Sequence, residues 1–190
     1  MELFHHVRLN CMLILFFGDI GVGKSTVAGT LARMFQLPLI QFDPLVPSVT
    51  GKEEMYGEDN AFLLSDEEVD AVHAEMRANA KKFLESGESV ILEFMFFKEQ
   101  REKAIALAED ARVSFHLVEV VCDESEVKNR IKKRIAENSQ SAGEDLFLEN
   151  KGQVSDELRE HIILDTTGKS VEECVWEVAR KIGLSEDSRE

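Results

Sequence analysis

Apolar and polar residues alternate along this chain in two rhythms. Short, almost unbroken apolar runs at residues 11–17, 39–42, 90–94, 115–121 and 161–164 have the length of strands. Between them lie longer stretches whose apolar residues recur every three or four positions, the period of a helix with one buried face. Over 24–36, Val27, Ala28, Leu31, Met34 and Phe35 share one side. Ser65 stands three residues before Glu68, a capping-box spacing that opens a long helix. Val69, Val72, Met76, Ala80, Phe83 and Leu84 form its stripe, and Gly87 stops it. Further helices are expected over 99–111 and from a cap at Asp123 to Asn138. A last helix follows a second capping-box pair, Ser170 and Glu173, with Val171, Cys174, Val175, Val178 and Ile182 on its buried side.

Runs that are apolar at every position, rather than at alternate ones, are strands covered on both faces. Such strands alternating with helices build a parallel sheet between helical layers. The expected fold is therefore α/β, a three-layer α/β/α sandwich around a five-stranded parallel sheet. No repeat or linker divides the chain, so one domain over 1–190 is expected, with 1–11 and 185–190 peripheral. Two stretches break the pattern. Residues 43–64 carry Pro47, Gly51 and Gly57 and read as a loop; the polar stretch 139–144 reads as a mobile loop within a candidate lid over 139–150.

Composition narrows the setting. Aspartate and glutamate number 37 against 22 lysines and arginines, a formal net charge of −15. Such a surface repels nucleic acid and anionic lipid at long range, so a polynucleotide would need a local basic patch. Cys11, Cys122 and Cys174 are odd in number and form no Cys-x-x-Cys pair, which suggests neither a disulfide framework nor a zinc site. The first apolar run is far shorter than a membrane span of about 20 residues. It also lacks a small-residue cleavage site and runs straight into a glycine loop. A cytoplasmic protein with reduced thiols is expected, without nucleic-acid or membrane partners.

The chemistry begins at that loop. Gly18-Asp19-Ile20-Gly21-Val22-Gly23-Lys24-Ser25 follows a buried strand and opens a helix, the context in which Gly-x4-Gly-Lys-Ser is a P-loop. Glycines allow the tight fold that turns successive N–H groups toward phosphate oxygens, and the helix adds its positive end. Lys24 would reach the β- and γ-phosphates, Ser25 would offer its hydroxyl to Mg²⁺, and Thr26 stands by the α-phosphate. In an open α/β sheet, ligands sit beyond the C-terminal ends of the strands, where Asp43, Glu93 and Asp165 all fall. Glu93, behind Val90-Ile91-Leu92, is either a metal- or water-holding acid or an ordinary edge charge. Asp43 is either a general base on an acceptor hydroxyl or a cap for the turn at Pro44. Asp165 reads as a cap for the turn at Thr166-Thr167-Gly168.

Arg130 and Arg134, four apart and hence on one helix face, either clamp a transferring phosphoryl or form a solvated face with Glu126 and Glu137. Arg101 is a candidate for an anionic acceptor, with a surface role as the alternative. His73 shares the apolar face of Val69 and Met76 and reads as a packed histidine.

Taken in order, Gly18 to Thr26, Phe42-Asp43, Ser89 to Phe94 with Arg101, Val120 to Arg134 and Ile163 to Glu173 resemble the small P-loop kinases. These are the AAA_33-type enzymes grouped around zeta-toxin, chloramphenicol phosphotransferase and gluconate-kinase-like proteins. The resemblance spans roughly residues 12–182 and implies a nucleotide-kinase-like P-loop NTPase fold. It also implies transfer of the γ-phosphoryl of Mg-ATP to a hydroxyl of a small-molecule acceptor. In its terms Asp43 activates the acceptor, Arg130 and Arg134 belong to the lid helix, and Thr167 lies in the loop near the adenine. The family's usual third-strand acid is aspartate, whereas this chain carries Glu93. A nucleotide-dependent switch without an acceptor is the alternative reading. A nucleotide or polynucleotide-end kinase is the third.

Overall fold

The structure is a computed structural model and describes residues 11–57, 61–95, 97–137, 142–155 and 159–185. Strand β1 (Met12–Phe17) leads through the glycine loop into helix α1 (Lys24–Phe35), then β2 (Leu39–Gln41). A 3₁₀ turn over Asp43–Leu45 and the short helix α2 (Val46–Thr50) follow. Helix α3 (Asp66–Ser86), β3 (Val90–Glu93), α4 (Lys98–Ala111), β4 (Ser114–Val121) and α5 (Glu124–Glu137) continue the alternation. Helix α6 (Glu144–Asn150), a 3₁₀ turn at Gln153–Ser155, β5 (Ile162–Asp165) and α7 (Val171–Lys181) complete it.

The five strands form one parallel sheet in the order β2-β3-β1-β4-β5, as the apolar runs predict. Leu13, Ile14, Leu15, Phe16 and Phe17 are each at most 1% exposed. Successive strand residues point to opposite faces, so five buried in a row means that both faces of β1 are covered. Helix α1 packs on α7, and α3 packs on α4. Register then brings the chemistry together: Glu93 lies level with Phe16 on one side and Gln41 on the other, at the end of the sheet where the glycine loop leaves β1.

Both capping boxes form. Ser65 accepts from the Glu68 amide and Ser170 from the Glu173 amide, each reciprocated by the glutamate. Gly87 ends α3 at φ 89°, where a side chain would be strained. Within the segment 43–64, expected as loop, the described residues include regular structure. Pro44 sits where a first-turn proline costs no hydrogen bond, Gly51 closes α2 at φ 74°, and Tyr56 bridges to Phe62. Too few apolar residues fall at helical spacing for so short a helix to show in the pattern. Of the stretch expected as a mobile loop, 139–141 lies outside the described residues, while Glu144–Asn150 is helical. Among the described residues no helix is long and apolar enough to cross a membrane.

His73 is packed as its spacing on α3 suggests. It is 1% exposed, with its ring 5.2 Å from Phe42 and 5.4 Å from Phe94, which themselves stack at 3.8 Å. Burial, with Arg77 adding to it, lowers the imidazole pKa to about 4. The unfolded chain therefore binds a proton here between pH 6.5 and about 4 that the folded protein refuses. Stability is full above pH 6.5 and falls as the pH drops through that window, by about 3 kcal/mol at most from this group. Urea unfolding at a series of pH values should show this slope, and His73→Phe should flatten it.

Candidate active site

The glycine loop adopts its path because three positions carry no side chain. Gly18 has φ 144°, and a Cβ there would come within 2.2 Å of the Val120 carbonyl oxygen on β4. Gly21 has φ 80°, with Val127 and Ile131 of α5 as close as 3.0 Å and 3.1 Å to where its Cβ would be. Gly23, φ 101°, is the N-cap of α1 and faces the Arg130 guanidinium. No side chain caps α1 and its first turn has no acid, whereas α3, α4, α5, α6 and α7 all carry acids in their first turns. The amide-rich positive end of α1 is thus left for an external anion.

Around this end the described residues form a cleft of about 290 Å³, with Lys24, Ser25 and Thr26 on one wall and Asp43, Glu93 and Arg134 on others. Lys24 is buried and donates to the Asp19 carbonyl at 2.7 Å. Burial lowers its pKa; Glu93, Asp19 and Asp43, in that order, favour its charge. Glu93, 5% exposed, accepts from Ser25 Oγ at 3.1 Å and from Gln41 Nε2 at 2.9 Å. Buried carboxylates need such partners. Asp43 heads the 3₁₀ turn with its side chain open to the cleft, yet protein crowds it on several sides. This partial burial pushes its carboxyl above the usual carboxylate range, and the nearby Glu93 pushes in the same direction. Ser25, Glu93 and Asp43 therefore converge.

The two arginines do not share one environment. Arg134 is exposed and lines the cleft. Arg130 is engaged elsewhere: it donates to the Val22 carbonyl and to Thr166 Oγ1, each at 3.1 Å, to the Thr166 carbonyl at 3.3 Å, and to Glu126. It ties α5 to both the glycine loop and the β5–α7 loop. Thr166 is buried and donates to the Val22 carbonyl at 2.8 Å. Thr167 is exposed; its Oγ1 accepts from the Asp123 amide at 2.8 Å, and its own amide donates to Asp165 at 2.9 Å, the turn cap expected of Asp165. Asp19 accepts from the Gly152 amide at 3.1 Å, and partial burial raises its carboxyl pKa. Ile20 and Val22 are buried against the core.

Arg101 departs from the sequence reading. It is 2% exposed, donates to the Val154 carbonyl and lies 5.2 Å over the Phe17 ring, so it does not stand at the cleft rim for an anionic acceptor. A single arginine in an amphipathic helix shows its face only once the helix has docked. Gln41, Tyr56 and Thr166 escaped sequence reading. The polar Gln41 inside an apolar strand was a usable signal; the lone tyrosine, in a loop, carried none.

Parallel strands with a glycine loop into an uncapped helix, facing a strand-end acid, define a P-loop nucleotide-binding protein. Residues 13–153 match the AAA domain family model (AAA_33), and the chain belongs to that family. Solved structures of the same fold include a sugar kinase from Janibacter sp. HTCC2649, at TM-score 0.67 and 13% identity over 95% of this chain and 99% of that one. An APS kinase from Mycobacterium tuberculosis, in complex with AMPPNP and APS, matches at TM-score 0.64 and 19% identity over 91% and 98%. A gluconokinase from Sinorhizobium meliloti 1021 matches at TM-score 0.63 and 22% identity over 93% of each chain. No curated protein sequence matches the chain. The fold is that of the small P-loop kinases.

The close pass of Gly18 under β4 gives a direct test of what shapes the loop. Gly18→Ala combines strain at φ 144° with overlap on a backbone carbonyl, whereas Gly51→Ala, at φ 74° with nothing within 4 Å, carries strain alone. Left-handed strain costs roughly 1–2 kcal/mol. Gly18→Ala should lose clearly more, and in a chain of this size each kcal/mol lowers the melting temperature by about 2–4 °C. Calorimetric melting of the two variants checks the order.

Proposed function

We propose that this protein is an ATP-dependent kinase that moves the γ-phosphoryl of Mg-ATP to a hydroxyl of a small molecule. The observation that carries the reading is the convergence of Lys24, Ser25, Glu93 and Asp43 on one cleft at the positive end of α1. The glycine loop amides from Gly18 to Gly23, with Lys24 and Thr26, would hold the triphosphate, and Thr167 would stand beside the base. Ser25 and Glu93 are adjacent hard oxygen donors, which suits Mg²⁺, an ion that keeps several waters and takes one or two protein ligands. Among the described residues no three histidine, cysteine or acidic side chains form a self-sufficient metal cage. Bound there, Mg²⁺ would neutralise charge on the phosphates.

In the reaction the acceptor oxygen attacks the γ-phosphorus, the bond to the bridging oxygen breaks and ADP leaves with that oxygen. The hydroxyl proton passes to Asp43, whose raised pKa makes it a better base than an ordinary aspartate. Arg134 would lie over the transferring group, while Arg130 would act one step back by holding Val22 and Thr166 in place. The free cysteines and the use of ATP fit a cytoplasmic setting.

Saturation with Mg-ATP at about 100 times its dissociation constant should stabilise the protein by roughly 2.7 kcal/mol in thermal unfolding. Lys24→Ala should abolish that shift and lower phosphoryl transfer by about 100-fold or more, measured with the most active hydroxylated compound of a metabolite panel. Asp43→Asn should lower kcat by about 10²–10⁴ while leaving ATP affinity within about threefold. The wild-type rate should fall at acid pH, because protonation of Asp43 removes the base. Acceptor-independent ATP hydrolysis across the whole panel would instead indicate a nucleotide switch.

A further inference from the structure

A second, larger chamber of about 440 Å³ adjoins the phosphate cleft. The two share Ile20, Tyr56, Phe94 and Met95 as walls, and Asp43 lines the cleft on its side of them. The site's lining cations, Lys24 and Arg134, stay on the phosphate side.

The chamber's chemistry is of the opposite kind. Tyr56, Phe62, Phe94 and Phe97 supply aromatic wall. Asp66 and Asp70 reach it from the first turns of α3, and Glu99 from the first turn of α4. Among the described residues neither lysine nor arginine lines it. Lys103 pairs with Glu99 at 2.6 Å, and Arg77 is close enough to feel Asp70 and Glu99. Asp70 also accepts from Gln100 Nε2 at 3.2 Å. At the start of α3, two amides that could receive an anion are already taken by the capping box of Ser65 and Glu68. The start of α4 has no side-chain cap, but Glu99 stands in its first turn. Arg101, the cation that sequence spacing offered for an anionic acceptor, is turned toward Phe17 and Val154.

An anionic acceptor placed here would meet the exposed carboxylates of Asp66 and Asp70, and Glu99 already paired with Lys103, with no lysine or arginine among the described lining residues to receive it. An amine would find the reverse: carboxylates for its charge and aromatic faces that attract cations. We infer that the chamber selects a hydroxyl compound with an apolar or aromatic body bearing a cationic amine. Asp66 and Asp70 are then specificity-determining residues that hold the amine while the hydroxyl meets Asp43. This assignment rests on the kinase reading of the cleft.

Three probes of similar shape separate the possibilities: phenylalaninol (cationic), 3-phenylpropan-1-ol (neutral) and 3-phenyllactate (anionic). Their binding is measured by calorimetry at pH 7 on the full chain with a non-hydrolysable ATP analogue, so the readout does not depend on transfer. ATP binding is titrated separately, and a failure there would sink the kinase reading itself. Phenylalaninol should bind at least about tenfold more tightly than 3-phenylpropan-1-ol, and 3-phenyllactate should bind most weakly. Asp66→Asn with Asp70→Asn should weaken phenylalaninol about tenfold, leave the neutral alcohol within twofold and leave nucleotide affinity unchanged. Equal binding of amine and neutral alcohol, preference for the anion, or no binding of any probe while ATP still binds would each overturn the inference. The wild-type ranking stands as the test even if the double variant fails to fold.

Discussion

A lysine side chain buried at the end of a parallel sheet is the constraint around which this molecule is arranged. Lys24 gives up most of its water, and the positive end of α1 beside it makes its charge harder to hold, not easier. What holds it is local: the Asp19 carbonyl at 2.7 Å and the fields of Glu93, Asp19 and Asp43. Glu93 in turn is buried and needs Ser25 and Gln41. These groups come from three parts of the chain, the glycine loop with the start of α1, the end of β2 and the end of β3, and only a sheet with β3 between β2 and β1 brings them level.

The same arrangement divides the site by charge. On the phosphate side stand the loop amides, Lys24 and Arg134 together with Glu93 and Asp43; on the far side stand aromatic rings and the acids of α3 and α4, with no lining cation among the described residues. In a chain with a net charge of −15, the two cations that line these two cavities, Lys24 and Arg134, both stand on the phosphate side. Asp43 lines the phosphate cleft, and its carboxyl pKa is raised because it is crowded and near Glu93. The raised pKa that would make it a useful base is thus a product of the packing that forms the cleft.

Helix α5 links the cleft to the rest of the protein through Arg130. Its guanidinium joins the Val22 carbonyl in the glycine loop to Thr166 after β5, while Val127 and Ile131 of the same helix pack against Gly21. Any displacement of α5 is therefore felt at the loop. This gives the lone arginine-rich segment of an acidic chain two distinct uses, a brace at Arg130 and a cleft-facing charge at Arg134, although both stand on one helix at four-residue spacing.

Period and spacing along the chain determined the architecture and the glycine loop. Strands covered on both faces must be apolar at every position, helices with one buried face must repeat every three to four residues, and the loop needs glycines where φ is positive. These are local demands, so they are legible locally, as Leu13 to Phe17 and Gly18 to Gly23 show. The small helix at Val46–Thr50 was not legible, because five residues carry too little periodicity. Nor was the fate of individual charges. Arg101 and Arg130 look like surface or ligand-binding arginines in sequence, yet one is buried over Phe17 and the other braces two loops. Gln41 came to hold Glu93 through strand register, and Tyr56 came to line the cleft through the path of the chain after β2. Tertiary structure alone decided these, since a side chain's partner across the molecule depends on how elements dock, and docking leaves no period in the chain.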